Sequence, residues 1–217
     1  MRIGVFDSGV GGKSVAMAIE KAFPEHEIEY VDDKQHVPYG NKTPEQLFGF
    51  VVPILQDLAT RCDVIVIACN TVTTTLITRL RENINVPLIG IEPMVKPASA
   101  QTKSKVIAVC ATPTTVKSDR YAWLKKKYAK GIQVIEPDCS DWAYMIESDK
   151  LNRKKIRERI DAACIAGADV IVLGCTHYHW IEELIKEIAD GRAIVIQPEQ
   201  AIVARLSQLL AEHSRPA

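Results

Sequence analysis

The chain has 217 residues, 47% of them hydrophobic, enough for one large domain or two small ones with real cores. Lys plus Arg and Asp plus Glu balance at 27 each, so no net charge favours nucleic acid or an anionic membrane as a partner. No apolar run reaches the roughly 18 residues of a membrane span, and Met1-Arg2-Ile3-Gly4-Val5-Phe6 enters a strand without the features of a signal peptide, so the expected location is the cytoplasm.

In chain order, residues 2–6 read as a first strand. Asp7-Ser8-Gly9-Val10-Gly11-Gly12 is a turn into a helix over about 13–23, which Pro24 stops. Residues 27–31 alternate as a second strand should. A loop containing Val37-Pro38-Tyr39-Gly40 follows. Thr43 then caps a helix with Pro44 in its first turn, running to about residue 61. Next come strand 63–68, helix 72–83 and strand 87–90. After Pro93 the pattern starts again. It runs as strand 105–109, a polar turn at 110–115 opening a helix, strand 132–135, helix 154–166, strand 169–173, helix 178–189 and strand 193–196. A final helix over 199–212 carries Ile202, Val203, Leu206, Leu209 and Leu210 on one face. Strands alternating with helices of these lengths indicate βαβ units and parallel sheets.

One phrase occurs twice. Asp63-Val64-Ile65-Val66-Ile67-Ala68-Cys69-Asn70-Thr71 returns as Asp169-Val170-Ile171-Val172-Leu173-Gly174-Cys175-Thr176-His177, an offset of 175 − 69 = 106 residues. The first strands of the two halves align at 3–6 and 106–109, and the closing strands lead to Pro93 and Pro198. An internal repeat follows. The predicted fold is α/β with two pseudo-symmetric lobes, each a parallel sheet flanked by helices, and a site in the cleft between them. Residues 1–93 plus 199–217 make the first lobe, carrying Cys69, and 94–198 make the second, carrying Cys175. The two connecting segments are expected to swap, each packing against the other lobe. An open parallel sheet receives its ligand at the carboxyl edge, which is where both cysteines stand.

Six cysteines occur and none forms a C-x-x-C pair, so a zinc ribbon or thioredoxin-like site is disfavoured. Cys62, Cys110, Cys139 and Cys164 read as small buried hydrophobes. Gly12-Lys13-Ser14 resembles the end of a phosphate-binding loop, but position 7 is Asp where that motif needs Gly. Cys175, His177 and His179 alternate around a strand-to-helix turn with no companion ligand pair, so no metal is expected. Cys69 and Cys175 differ from the other thiols because each ends an apolar strand and precedes polar groups. Proton exchange at a carbon next to a carboxylate needs a base on one face and an acid on the other. A thiol, with a pKa of roughly 8.5, can serve as either when dipoles or charges adjust it. Helix N–H groups after each cysteine can hold a carboxylate or developing charge, and Asn70, Thr71, Thr176 and His177 add donors. Asp7 and Ser8 share the same sheet edge. Asp7 either orients a substrate ammonium and raises the basicity of Cys69, or caps the following helix, and both roles can coexist. Tyr39-Gly40 either closes over the substrate or is an ordinary turn. His177 either orients or protonates beside Cys175, or sits in a core or cap. Thr112 and Thr115 occupy the turn that mirrors Asp7-Ser8.

Phe6-Asp7-Ser8-Gly9-Val10-Gly11-Gly12, Val37-Pro38-Tyr39-Gly40, Ala68-Cys69-Asn70-Thr71 and Gly174-Cys175-Thr176-His177 stand in the order of a known family. With them the chain resembles the glutamate racemases of the cofactor-independent aspartate/glutamate racemase superfamily. The resemblance implies reversible interconversion of L- and D-glutamate without pyridoxal phosphate or metal, the D-glutamate feeding peptidoglycan synthesis. It implies that Cys69 and Cys175 handle the α-proton on opposite faces. It further implies that Asp7, Ser8, Tyr39, Gly40, Asn70, Thr71, Thr115, Thr176 and His177 surround the substrate, that Glu147 matches a further acid of the second lobe, and that the protein is a homodimer. The chain departs from the family pattern at Thr114, where Gly is usual, at Gln197-Pro198, where an acidic-Ser pair is common, and in being shorter. Racemisation of aspartate or another amino acid, and amino-acid binding without catalysis, are the alternatives.

Overall fold

The computed structural model describes residues 1–213. The first half builds β1 (Arg2–Asp7), α1 (Lys13–Ala22), β2 (Glu27–Asp32), α2 (Pro44–Ala59), β3 (Val64–Ile67), α3 (Asn70–Asn83) and β4 (Leu88–Gly90). The second builds α4 (Val95–Gln101), β5 (Val106–Ala111), α5 (Pro113–Val116), α6 (Asp119–Tyr128), β6 (Gln133–Ile135), α7 (Trp142–Glu147), α8 (Arg153–Ile165), β7 (Val170–Gly174), α9 (Glu182–Ala189) and β8 (Ile194–Ile196). α10 (Glu199–His213) closes the described chain.

The strands form two four-stranded parallel sheets, ordered β2-β1-β3-β4 and β6-β5-β7-β8. The order is the same in both once the second set is renumbered, which is the pseudo-symmetry the repeated phrase announces. Helices cover both faces of each sheet, so the central strands must be apolar on both sides. Every residue of β3 and β7 is accordingly buried. Packing around the first sheet joins Ile3, Val5, Val64 and Val66 to α1 on one face, and Phe6, Ile65 and Ile67 to α2 and α3 on the other.

The two connecting helices cross over. α4 leaves the first sheet yet packs Val95 and Ala98 against Ile107, Val109 and Val172 of the second. α10 leaves the second sheet and packs Ile202, Leu206, Leu209 and Leu210 against Ile3, Val5 and Ile89 of the first. Local signals agree with the ends of several helices. Thr43 and Gln46 form a reciprocal capping box at α2, and Thr112, Ser118 and Asn152 cap α5, α6 and α8. Among the described residues no helix is long and apolar enough to cross a membrane.

Two local expectations shift. The helix after Cys69 starts at Asn70, two residues earlier than its apolar pattern suggests. After Cys175 the chain first makes a 3-10 turn over Thr176–Ile181, and α9 begins only at Glu182. The 3-10 turn is tighter per residue, and it places His177, Tyr178 and His179 in three different packing environments. The short α4 and α7 carry no signal of their own in the sequence; with seven and six residues they are too brief to show a helical period.

Candidate active site

The site grows from the carboxyl ends of the two central strand pairs. β1 ends in Asp7 and β3 leads into Ala68-Cys69; β5 ends in Ala111, just before Thr112, and β7 in Gly174, just before Cys175. Both cysteines have extended backbone at the start of a helical turn, and both are buried, at 4% and 7% exposure.

The two lobes meet through crossed hydrogen bonds. From the second lobe, the Thr176 hydroxyl donates to Asp7 Oδ1 at 3.2 Å. From the first lobe, Thr71 Oγ1 lies 2.9 Å from Thr112 Oγ1 and 3.5 Å from Thr115 Oγ1, and Thr112 donates to Thr115 at 3.0 Å. The residues following each cysteine thus bond to the opposite lobe's first-strand turn. The glycine turn after β1 allows this approach. A Cβ on Gly11 would stand 2.5 Å from the His177 nitrogen and 2.7 Å from Thr176 Oγ1, and one on Gly12 would stand 2.4 Å from Asp7 Cβ.

Asp7 is fully buried, and its Oδ2 accepts from the Gly9 and Gly12 amides at 3.1 and 2.9 Å. It both braces the turn, as a cap would, and faces the cleft. Burial pushes its carboxyl above the usual range, opposed by the charge of His177 and by the Gly12, Gly9 and Ser8 amides. Cys69 lies against Asp7 and directs its thiol to Ser8 Oγ at 3.6 Å. Burial and then the Asp7 charge push this thiol up to about 12, against hydrogen bonding from the Val72 amide and Ser8. The charge of Cys175 adds to the rise, so the two sulfurs feel each other.

Cys175 has a different neighbour. Its Sγ is 3.8 Å from His177 Nδ1, and His177 Nε2 is 2.7 Å from Glu147 Oε2. Glu147 ends α7 and also accepts from the Val10 amide at 3.2 Å, so it bridges the lobes. Its carboxyl is held below the usual range by the His177 hydrogen bond. Burial opposes charge on His177, but its bonds to Cys175 and Glu147, with the charges of Cys175 and Asp7, raise it to about 10. The raised value favours the imidazolium at His177, which can donate from one nitrogen to Glu147 and from the other toward the Cys175 sulfur.

The remaining sequence candidates lie near the same strand ends, with these partners. Asn70 donates through Nδ2 to the Ile91 carbonyl at 3.3 Å, leaving its buried Oδ1 without a partner among the described residues. Gly40 abuts Thr112. Tyr39 packs its ring into the first lobe and donates its hydroxyl to Asp33, so the peptide of this turn, more than the phenol, meets the second lobe. His179 diverges from Cys175 and His177, bonding Ser14 Oγ at 3.0 Å and standing 3.4 Å from Glu199.

Sequence reasoning missed several supports. Asp33 accepts from Tyr39 and lies 2.8 Å from His36, and Tyr30 donates to the Gly9 carbonyl. Thr114 donates to the Gly40 carbonyl at 2.6 Å, and Trp180 Nε1 donates to the Val10 carbonyl at 3.2 Å. Asp33 alone had a usable signal, an acid just past the carboxyl end of a strand. A cavity of about 1010 Å³ lies apart from the cysteines, between α1, α10 and the Thr176–Ile181 turn.

Two lobes, each built on a four-stranded parallel sheet of the same strand order, define a racemase type of α/β fold. The sequence model of the Asp/Glu/Hydantoin racemase family matches residues 12–206, and the chain belongs to that family. The glutamate racemase of Ralstonia nicotianae is 38% identical over 214 residues, covering 96% of this chain and 77% of that one. The glutamate racemase of Escherichia coli, solved with L-glutamate and the activator UDP-MurNAc-Ala, superposes with a TM-score of 0.83 at 29% identity, covering 99% of this chain and 84% of that one. That of Francisella tularensis, solved with D-glutamate, gives 0.82 at 29% identity, covering 98% and 81%.

Proposed function

We propose that this chain interconverts L- and D-glutamate by a two-thiol proton transfer at Cα. In one direction the Cys69 thiolate removes the α-proton while the Cys175 thiol delivers its own to the opposite face. The product leaves with the sulfur protonation states exchanged, and the reverse direction uses them in that order. Both transfers run through sulfur and call on neither pyridoxal phosphate nor metal. The observation that carries this reading is the matched burial of Cys69 and Cys175 on opposite lobes, each with its own polarising partner: Asp7-Ser8 for the first, His177-Glu147 for the second. A thiol pushed up to about 12 keeps its proton at neutral pH and is a strong base once ionised.

Asp7 suits the substrate ammonium, whose charge also favours the carboxylate form of that buried acid. Ser8, Asn70, Thr71, Thr112, Thr115 and Thr176, with the Tyr39-Gly40 peptide, suit the two carboxylates. His177 orients and protonates at Cys175. The substrate assignment is supported by relatives named glutamate racemase and by solved relatives holding L- and D-glutamate. The proposal extends to a cytoplasmic homodimer supplying D-glutamate for peptidoglycan, with lobes divided as 1–93 plus the α10 segment and 94–198.

The test is α-proton exchange of L-glutamate in D₂O, followed by NMR with loss of optical rotation. Wild type exchanges without added cofactor. Cys69→Ser and Cys175→Ser each lower racemisation by about 10²–10⁴. Full activity in either variant sinks the mechanism; exchange of L-aspartate in preference to L-glutamate reassigns the substrate.

A further inference from the structure

We infer that Thr114 is a positioning residue that latches the Tyr39–Asn41 turn of the first lobe onto the second lobe, and so governs closure over the substrate; the inference rests on the racemase reading above. Thr114 lies in α5, at the carboxyl edge of the second sheet. Its hydroxyl donates to the Gly40 carbonyl at 2.6 Å and lies 3.5 Å from the Lys42 carbonyl. The same turn is tied internally by Lys42 N–H to the Tyr39 carbonyl at 3.1 Å, so holding Gly40 holds the whole turn.

The contact is close as well as bonded. A Cβ on Gly40 would come within 2.7 Å of Thr112 Cβ, so the turn seats directly on the residue that starts the Thr112–Thr115–Thr71 hydroxyl chain. Thr114 bonds the turn while its neighbours Thr112 and Thr115 turn their hydroxyls to Thr71 of the first lobe. The short helix therefore divides its hydroxyls between holding the closed state and lining it. On the first-lobe side, Asp33 fixes the turn through Tyr39, which gives the moving part a defined anchor. Because both cysteines are buried, substrate must enter with this seam parted, and the Thr114 bond is remade on closure.

A contact made equally in the ground and transition states lowers KM without changing kcat. A net hydrogen bond of ordinary strength corresponds to a factor of about five to ten. Thr114→Val removes the donor at nearly constant volume, and Thr114→Ser keeps it. The expected result for Thr114→Val is a five- to tenfold higher KM in both directions with kcat within twofold, and amide exchange at residues 39–42 about fivefold faster. Thr114→Ser returns both readouts to within twofold of wild type. Unchanged KM with unchanged exchange in Thr114→Val overturns the latch. So does a fall in kcat at constant KM, or a Thr114→Ser variant as impaired as Thr114→Val. If wild type racemises no amino acid, the racemase reading fails, and with it the catalytic consequence; wild-type amide exchange in Thr114→Val would separately overturn the structural latch.

Discussion

At the scale of single residues, the two thiols are alike in placement and unlike in surroundings. Cys69 faces an acid and a hydroxyl, Cys175 an imidazole whose far nitrogen is held by Glu147. The sign of the pH dependence follows from His177. Its ordinary value of 6.5 rises to about 10 in the fold. The stability it contributes is fully present below about pH 6.5 and is lost as pH rises through 10. The Cys69 thiol, raised from 9.0 to about 12, adds a further loss that begins only above pH 9. Glu147→Gln isolates the first effect. It keeps a hydrogen-bonding partner but removes the charge, so His177 titrates nearer its ordinary value. The expected cost at pH 7 is about 1–3 kcal/mol, roughly 2–4 °C in Tm for each kcal/mol. The decline of Tm with pH should also begin lower than in wild type. Melting curves across pH 6–10 and the His177 imidazole titration by NMR check this, and superimposable profiles for the two proteins would contradict it.

At the scale of elements, the turn between β1 and α1 is the tightest part of the seam. Gly9 and Gly11 allow the first lobe's backbone to touch Glu147, Thr176 and His177, and Gly12 lets the turn close on Asp7. Gly11→Ala places a methyl carbon where three second-lobe atoms already stand, two of them backbone. Neither the turn, braced by Asp7, nor the 3-10 turn can yield without moving a site residue. The variant should remain folded, lose about 1–3 kcal/mol from overpacking, and lose about 100-fold in kcat/KM, since misplacement by an ångström carries a penalty of that order. Circular dichroism melting and the exchange assay separate the two losses. Wild-type activity in Gly11→Ala would show that the lobes do not need this approach.

At the scale of the whole molecule, the crossed helices make the lobes interdependent. α10 supplies Leu206, fully buried against the first sheet, although it follows the last strand of the second. Leu206→Ala should cost about 2–5 kcal/mol, with a cavity left behind. The loss should appear as a single cooperative transition at lower denaturant, because the helix joins both lobes. Urea unfolding followed by tryptophan fluorescence and by far-ultraviolet dichroism tests it; two separated transitions would mean that the lobes unfold independently.

The repeated apolar phrase ending in cysteine determined the alternation of strands and helices, the parallel sheets and the two thiols at their carboxyl edges. These are local matters: a strand buried on both faces must be apolar throughout, and a chain that turns at its carboxyl end places the next polar residue at the sheet edge. Asp7, Thr71, Thr176 and His177 were legible for the same reason. Their partners were not. Thr71 meets Thr112 across 41 residues and Asp7 meets Thr176 across 169, and Thr114 reaches Gly40 across 74. Glu147 was placed only by resemblance, because nothing in its short helix announces a bond to His177. Those pairings depend on the angle at which one lobe is set against the other. That angle is fixed by α4 and α10 packing across the seam and by glycines that let backbone approach backbone, and only the tertiary structure decides it.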